Sequence, residues 1–352
     1  MIGVIGAGPV GNYVSSLLAK KNFDVTVFEE HKDVGSPVQC TGIVTSELKN
    51  IVKVDKDCIV NEVKRVKINS PNKSSIEVKL GNKNLILCRQ KFDNRMYERA
   101  LDEGVKFKFS RAYKNGHQRI RVGNESYHVD KLVGCDGPNS LVARENGMFG
   151  QRKFVVGSQV RAKVKCEDDL VEFWLGIGEF GWLVPEGDGT ARIGVVAYKR
   201  PGVHLNTLLK SLGRRYKVIE KQGGLIPLFN PNQVLQKGNV SLVGDSATQV
   251  KATTFGGLVP GMMAAKIFAN DIDNYSLNAK QELGKDLRLN LMIRKVMDKF
   301  SEKDYDELLR LFGRDKVKEV IETNDRDFPS KFLLKLLLRE PRLLKFGHKL
   351  VF

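Results

Sequence analysis

Ile2-Gly3-Val4-Ile5 is a short apolar run, and Gly6-Ala7-Gly8-Pro9-Val10-Gly11 follows it directly. Beyond the glycines, Val14, Leu17 and Leu18 fall at helical spacing, and Asp24 to Phe28 reads as a second strand ending in Glu29-Glu30. The order is strand, glycine turn, helix, strand: a compact βαβ unit, which commits the chain to parallel strand pairing. In GxGxxG the first glycine suits a tight turn. The second lets the backbone approach a pyrophosphate, and the third lets helix and strand pack closely, with the helix N-terminus facing the phosphates. Glu29 ends the second strand, where an acid binds a ribose hydroxyl and argues against a 2′-phosphate. Gly6, Gly8, Val10, Gly11 and Glu29 are therefore expected to bind a dinucleotide.

The rest of the chain sets limits on class. Its 352 residues suffice for one large domain or two intimate ones. No apolar run approaches the roughly 18–20 residues of a membrane span. The N-terminus enters a strand pattern at once, so no signal peptide is expected. Five scattered cysteines form no CxxC pair, which disfavours a zinc site and a disulfide framework and points to a reducing, intracellular setting. The five histidines form no close cluster, so no metal site is expected. The net charge of +17 attracts anions: nucleic acid, an acidic membrane or phosphorylated ligands. A basic background composition with no partner is the alternative. No recognised nucleic-acid module is present, so nucleic acid is not an expected partner.

Residues 60–88 read as β-rich, 92–104 as helical and 153–200 as alternating strands of an antiparallel sheet. Residues 203–222 read as helical, and from about 276 onward the chain reads as helical and strongly charged. The expected fold class is α/β. A Rossmann-like dinucleotide-binding domain over 1–150 with 236–275 is assembled from separated segments. An antiparallel substrate domain spans 151–235, and a basic helical region spans 276–352.

Two further stretches end strands in aspartate and glycine: Cys135-Asp136-Gly137-Pro138-Asn139-Ser140, and Gly244-Asp245 followed by Gly256-Gly257 at a helix start. An aspartate at a strand end can accept from a ribityl hydroxyl, and a Gly-Gly helix start offers N–H groups to a flavin ring. GAGPVG with Glu29, the GCDGPNS stretch and GDSA…FGGL together resemble the fingerprints of FAD-dependent oxidoreductases of the aromatic-hydroxylase type. Within that superfamily the chain is similar to the geranylgeranyl reductases. GSPVQCTG resembles their G-S-P-V-x-C loop. Arg89, Phe92 and Asp93 resemble their R-x-x-F-D segment, and Phe180, Trp182, Pro185 and Gly194 their Y-x-W-x-F-P motif and following glycine. The resemblance covers roughly residues 1–270. Departures stand at Val10, Phe180 and Val184, at the short C-T-G of the Cys40 loop, and at KATTFGGLVPG in place of P-x-T-G-G-G.

The resemblance implies FAD as cofactor, contacted by Cys40, Thr41, Gly42, Arg89, Ala112, Asp245, Gly257 and Leu258 besides the glycine motif and Glu29. Cys40 is the implied catalytic group, a thiol beside the ring that helps donate a proton or position an alkene; a small residue that merely fits is the alternative. Phe180 and Trp182 would line an apolar substrate tunnel, whereas Phe173 and Trp174 read as ordinary sheet core. The implied reaction is saturation of geranylgeranyl double bonds in archaeal-type membrane lipids by hydride from reduced flavin. No second GxGxxG is seen for a resident nicotinamide, so an external electron donor is expected. The alternatives are an oxygen-using FAD hydroxylase of the same superfamily and a non-catalytic, membrane-binding flavin fold.

Residues 329–352 combine leucines with Lys331, Lys335, Arg339, Arg342, Lys345 and Lys349 against Glu340 alone, and Pro341 interrupts any helix there. A basic amphipathic segment of this kind can lie on an anionic bilayer, and a helix pair docked on the protein itself is the alternative. The expected location is cytoplasmic, peripheral on the inner face of the cell membrane.

Overall fold

A computed structural model describes residues 1–114, 119–122 and 124–350, apart from the side chains of 112–114 and 119. Ile2–Ile5 pairs in parallel with Val25–Glu29 on one side and Lys131–Gly134 on the other. Lys106–Phe109 and Val240–Leu242 extend the ladder in parallel, and Gln236–Lys237 closes its edge antiparallel, making a six-stranded sheet. The strands are apolar because helices cover them. Pro9–Ala19 packs against Arg89–Asp102 and Leu258–Asn270, burying Val14 and Leu18 against Val4, Val27 and Val133. Proline at the first turn of Pro9–Ala19 costs no hydrogen bond there.

The second layer is an eight-stranded sheet in the order Tyr216–Pro227, Phe154–Val164, Thr190–Ala197, Phe180–Gly187, Leu170–Trp174, Ile59–Asn69, Ser75–Leu87, Ile43–Val44. Leu170–Trp174 and Ile59–Asn69 run parallel, which is where the early hairpin joins the later strands. Residues 59–87, grouped by sequence with the nucleotide-binding domain, thus pair into the eight-stranded sheet. Main-chain pairing across about a hundred residues decided this, and no local pattern records it. The helix expected over 203–222 is split: Pro201–Ser211 is helical and Tyr216–Pro227 is a strand along Phe154–Val164.

The C-terminal helices Tyr275–Glu282, Gly284–Met297, Glu302–Phe312, Asp315–Thr323 and Leu333–Arg339 follow. Ser301 and Asp304 form a reciprocal capping box that starts Glu302–Phe312. Pro341 ends the last α-helix, and Pro341–Leu350 continues as 3-10 turns. Glu302–Phe312 and Asp315–Thr323 pack on the Ser75–Leu87 strand, so this region closes over the sheet. No helix among the described residues is long and apolar enough to cross a membrane.

Candidate functional site

One cavity of about 1350 Å3 lies between the two sheets and runs on into the C-terminal helices. At one end it opens on the glycine turn. Gly6 has φ +100°, and a Cβ there would come 2.6 Å from the Cys135 carbonyl oxygen. A Cβ on Gly11 would come 2.0 Å from the Gly6 carbonyl oxygen, so these two glycines are packing positions. Gly8 is different: a Cβ there would meet nothing within 4 Å, and Gly8 lines the cavity. Gly8 is also the N-cap of Pro9–Ala19, with no side-chain cap on the first N–H groups. An open cradle over uncapped N–H groups fits a pyrophosphate.

Glu29 Oε2 accepts from the Ala7 N–H at 2.7 Å and Oε1 from the His31 N–H at 2.8 Å, which fixes the carboxylate at the cavity wall. Val10, where a smaller residue is usual, is accommodated by glycines opposite it. A Cβ on Gly244 would stand 3.2 Å from Val10 Cγ1, and one on Gly261 2.8 Å from Cγ2. Asp245 lines the cavity, and no protein hydrogen bond is found for its carboxylate among the described residues. Burial pushes its carboxyl up to about 6, against the pull of Arg89 and Arg152. Gly257 sits against Asp245 Oδ1 and caps Leu258–Asn270 without a side-chain partner, leaving N–H groups facing the same space. A lone acceptor beside free donors suits the ribityl hydroxyls and pyrimidine edge of a flavin. Asp136 has a different role: it accepts from Ser140 Oγ at 2.6 Å and Val142 N at 3.0 Å, capping Leu141–Glu145.

The Cys40 loop forms the next part of the wall, with Cys40, Thr41 and Gly42 all at the cavity. Gly42 N–H points at Cys40 Sγ at 3.3 Å. Arg89 forks onto Asp93 at 2.9 and 2.8 Å. Burial works against the Arg89 charge, but Asp93 and Cys40 more than offset it and hold its pKa above the usual value. Burial pushes the Cys58 thiol up to about 11 and the Cys135 thiol higher still, so neither is set up as a thiolate.

Trp182 and Phe180 line the cavity beyond the loop, with rings 5.9 Å apart. Phe173, read from sequence as sheet core, also lines it and meets Phe180 edge-on at 5.9 Å. Trp174 packs instead in the neighbouring cluster around Leu183 and Leu205. Ala112 belongs to the strand Ala112–Lys114, in a separate three-stranded sheet, and its side chain lies outside the described residues.

Sequence reasoning missed the groups that hold these parts together. Arg192 donates to the carbonyls of Cys40 and Thr41 at 3.2 and 2.6 Å and pairs with Glu186 at 2.6 Å. Gln159 Oε1 accepts from Thr41 Oγ1 at 3.0 Å and from Trp182 Nε1 at 3.3 Å, linking loop to tunnel wall. Arg152 bridges the Pro138 and Ser246 carbonyls at 3.0 and 2.6 Å. Lys251 pairs with Asp327, which also accepts from Thr45 at 2.6 Å. No short motif marks any of these residues, because, Glu186 apart, their partners lie well away in the chain. No group of three or more His, Cys, Asp or Glu side chains suited to a metal occurs among the described residues.

A Rossmann sheet faces a mostly antiparallel sheet across a long cavity, with these loops at the seam, a fold shared with flavin-dependent enzymes of known structure. The NAD(P)-binding Rossmann-like domain family matches residues 4–47. The chain is homologous along almost its whole length to the digeranylgeranylglycerophospholipid reductase of Methanosarcina acetivorans, at 26% identity over 99% of this chain and 95% of that one. That of Methanosarcina mazei is 27% identical over 87% of this chain and 86% of its own. Among solved structures, a geranylgeranyl bacteriochlorophyll reductase-like protein from Thermoplasma acidophilum superposes with a TM-score of 0.83, at 19% identity, over 99% and 98% of the two chains. A halogenase in complex with FAD shares the fold with a TM-score of 0.65 at 11% identity, over 99% and 93%.

Proposed function

We propose that the protein is an FAD-dependent reductase that saturates isoprenoid double bonds of membrane lipids. The observation that carries this reading is one long cavity. It starts at Gly8 and Asp245, passes Cys40 and Trp182, and continues between apolar side chains of the C-terminal helices such as Val296, Phe312, Leu336 and Phe346. A small polar substrate needs no such extension; a long hydrocarbon chain fills it. Relatives named for reduction of a digeranylgeranyl glycerophospholipid along nearly the whole chain support the same substrate class.

FAD, when bound and reduced, would supply the hydride that an alkene carbon needs, with a proton from water or a nearby acid for the other carbon. Gly8, Val10 and Glu29 would hold the nucleotide half of the cofactor, and Gly6 and Gly11 would shape the turn that presents them. Asp245, Gly257, Leu258 and Arg89 would hold the flavin half, and the Cys40-Thr41-Gly42 loop would flank it, with Cys40 available to assist protonation or alkene placement. Phe180 and Trp182 press the chain into place and keep water out. An external electron donor would be needed to return FAD to its reduced form.

The hydrocarbon enters from a bilayer. On Leu333–Arg339, Leu336 is buried, whereas Leu334 and Leu338, one turn apart, are 69% and 72% exposed. Lys331, Lys335, Arg339 and Lys345 surround these leucines in sequence, a composition suited to the anionic inner face of a membrane.

The test is anaerobic. The FAD-loaded protein is reduced with dithionite, given a digeranylgeranyl glycerolipid, and the lipid is followed by mass spectrometry. Stepwise gain of hydrogen pairs, abolished in Asp245→Ala, supports the reading; an unchanged lipid beside a fully reduced flavin overturns it.

A further inference from the structure

Phe255 has φ +54°, in the left-handed region that a bulky residue seldom occupies. The turn around it is closed by its own N–H to the Lys251 carbonyl at 2.8 Å and by Lys251 N–H to the Gly256 carbonyl at 3.2 Å. Glycine would adopt this backbone without strain. A ring kept there at a conformational cost calls for a reason in what the ring touches.

The ring is buried, lines the cavity, and comes from the loop that leads into Gly257 on the nucleotide side. It stacks on Phe180 with centroids 5.9 Å apart and planes 22° apart. The Arg294 guanidinium lies 5.8 Å from its centroid. Arg294 is itself fully buried and held by Asp298 at 2.7 Å and Glu179 at 3.3 Å. Phe255 is thus clamped between the aromatic wall of the eight-stranded sheet and the helix Gly284–Met297. Ile293, Val296 and Met297 of that helix line the helical end of the cavity. The ring stands where the cofactor side of the cavity passes into the long apolar side.

We infer that Phe255 is a specificity-determining residue: with Phe180 it fixes how far an isoprenoid chain advances past the reducing site, and so which double bonds are saturated. This inference rests on the proposed reductase reading. A ring that only filled core would affect stability and leave chain selection untouched. A ring that bounds the path changes the relative binding of long and short chains, since one methylene in an apolar pocket is worth about tenfold or more.

The test uses the full-length FAD-loaded protein and the variants Phe255→Gly and Phe255→Leu. Phe255→Leu keeps apolar bulk, so it remains available if Phe255→Gly does not fold. Flavin absorbance reports an intact cofactor site. Quenching of intrinsic tryptophan fluorescence by geraniol, farnesol and geranylgeraniol gives an affinity ratio of long to short chains, and mass spectrometry gives the positions reduced. The expected result is retained flavin, a shift of about tenfold in that ratio, and a changed distribution of saturated positions. An unchanged ratio with flavin retained in a folded variant overturns the inference, even if the wild type reduces lipid. A shifted ratio in a protein that reduces no lipid supports the role of Phe255 and removes the reductase reading instead.

Discussion

Arg192 donates through Nη1 to the Thr41 carbonyl oxygen at 2.6 Å, from a strand 151 residues further along the chain. The same guanidinium pairs with Glu186, and both side chains are nearly buried, at 6% and 7% exposure. The Cys40 loop is therefore pinned from the eight-stranded sheet. Arg192→Met leaves Glu186 with the half-exposed Arg161 as its remaining ion-pair partner. The expected cost is about 3 kcal/mol of stability, with weaker flavin affinity because the loop is released. Arg192→Lys keeps the charge but loses the fork and falls between. Chemical denaturation and flavin titration check both.

The motif glycines separate folding from binding. Gly11→Ala forces a Cβ onto the Gly6 carbonyl oxygen, so the protein is expected to lose several kcal/mol or fail to fold. Gly8→Ala meets no atom within 4 Å, so its thermal melt in the absence of flavin should match the wild type within about 1 kcal/mol. Its FAD affinity should fall about tenfold or more, because the methyl occupies the phosphate cradle. Equal damage to stability in the two variants would remove the distinction.

Asp245 makes apoprotein stability depend on pH. Its carboxyl ionises near pH 4 in the unfolded chain and at about 6 in the folded one. Between these values the folded state holds the extra proton, so stability falls as pH rises through the window and stays lowered above it. Asp245→Asn should flatten that slope and stabilise the apoprotein at pH 7 by about 1–2 kcal/mol, while weakening flavin binding. Denaturant melts at pH 4.5 and pH 7, with and without FAD, read both effects.

Lys251 and Asp327 form a buried ion pair between the loop before Gly257 and the C-terminal region, with Thr45 as third member. Removing one partner strands the other. Lys251→Met and Asp327→Asn should each cost about 3–5 kcal/mol, and the double variant well under their sum. Additive losses in a double-mutant cycle would mean that the pair is uncoupled.

The glycine turn and the strand ends around it were legible because they are local. Gly6, Gly8 and Gly11 lie within one turn, and Glu29 follows by the length of one helix and one strand. That spacing is fixed by the crossover itself. Gly244-Asp245 and Gly256-Gly257 were legible for the same reason, as strand end and helix start. The strand hidden in 216–222 was missed because exposed Tyr216, Val218 and Ile219 show no clear periodicity and the pairing with Phe154–Val164 decides the conformation. Phe173 was read as core because a residue facing an internal cavity carries the same apolar signature as one facing packed side chains.

The sequence by itself determined the parallel sheet and the glycine turn between its first strand and helix, since each depends on backbone preferences over short stretches. Only the tertiary structure decided that residues 59–87 join the later strands and that Arg192 and Gln159 steady the Cys40 loop. It also decided that Phe255 stands between Phe180 and Arg294 in one cavity. Those relationships join residues far apart in the chain. Their free energy comes from burial and paired charges that exist only once the layers have closed on one another.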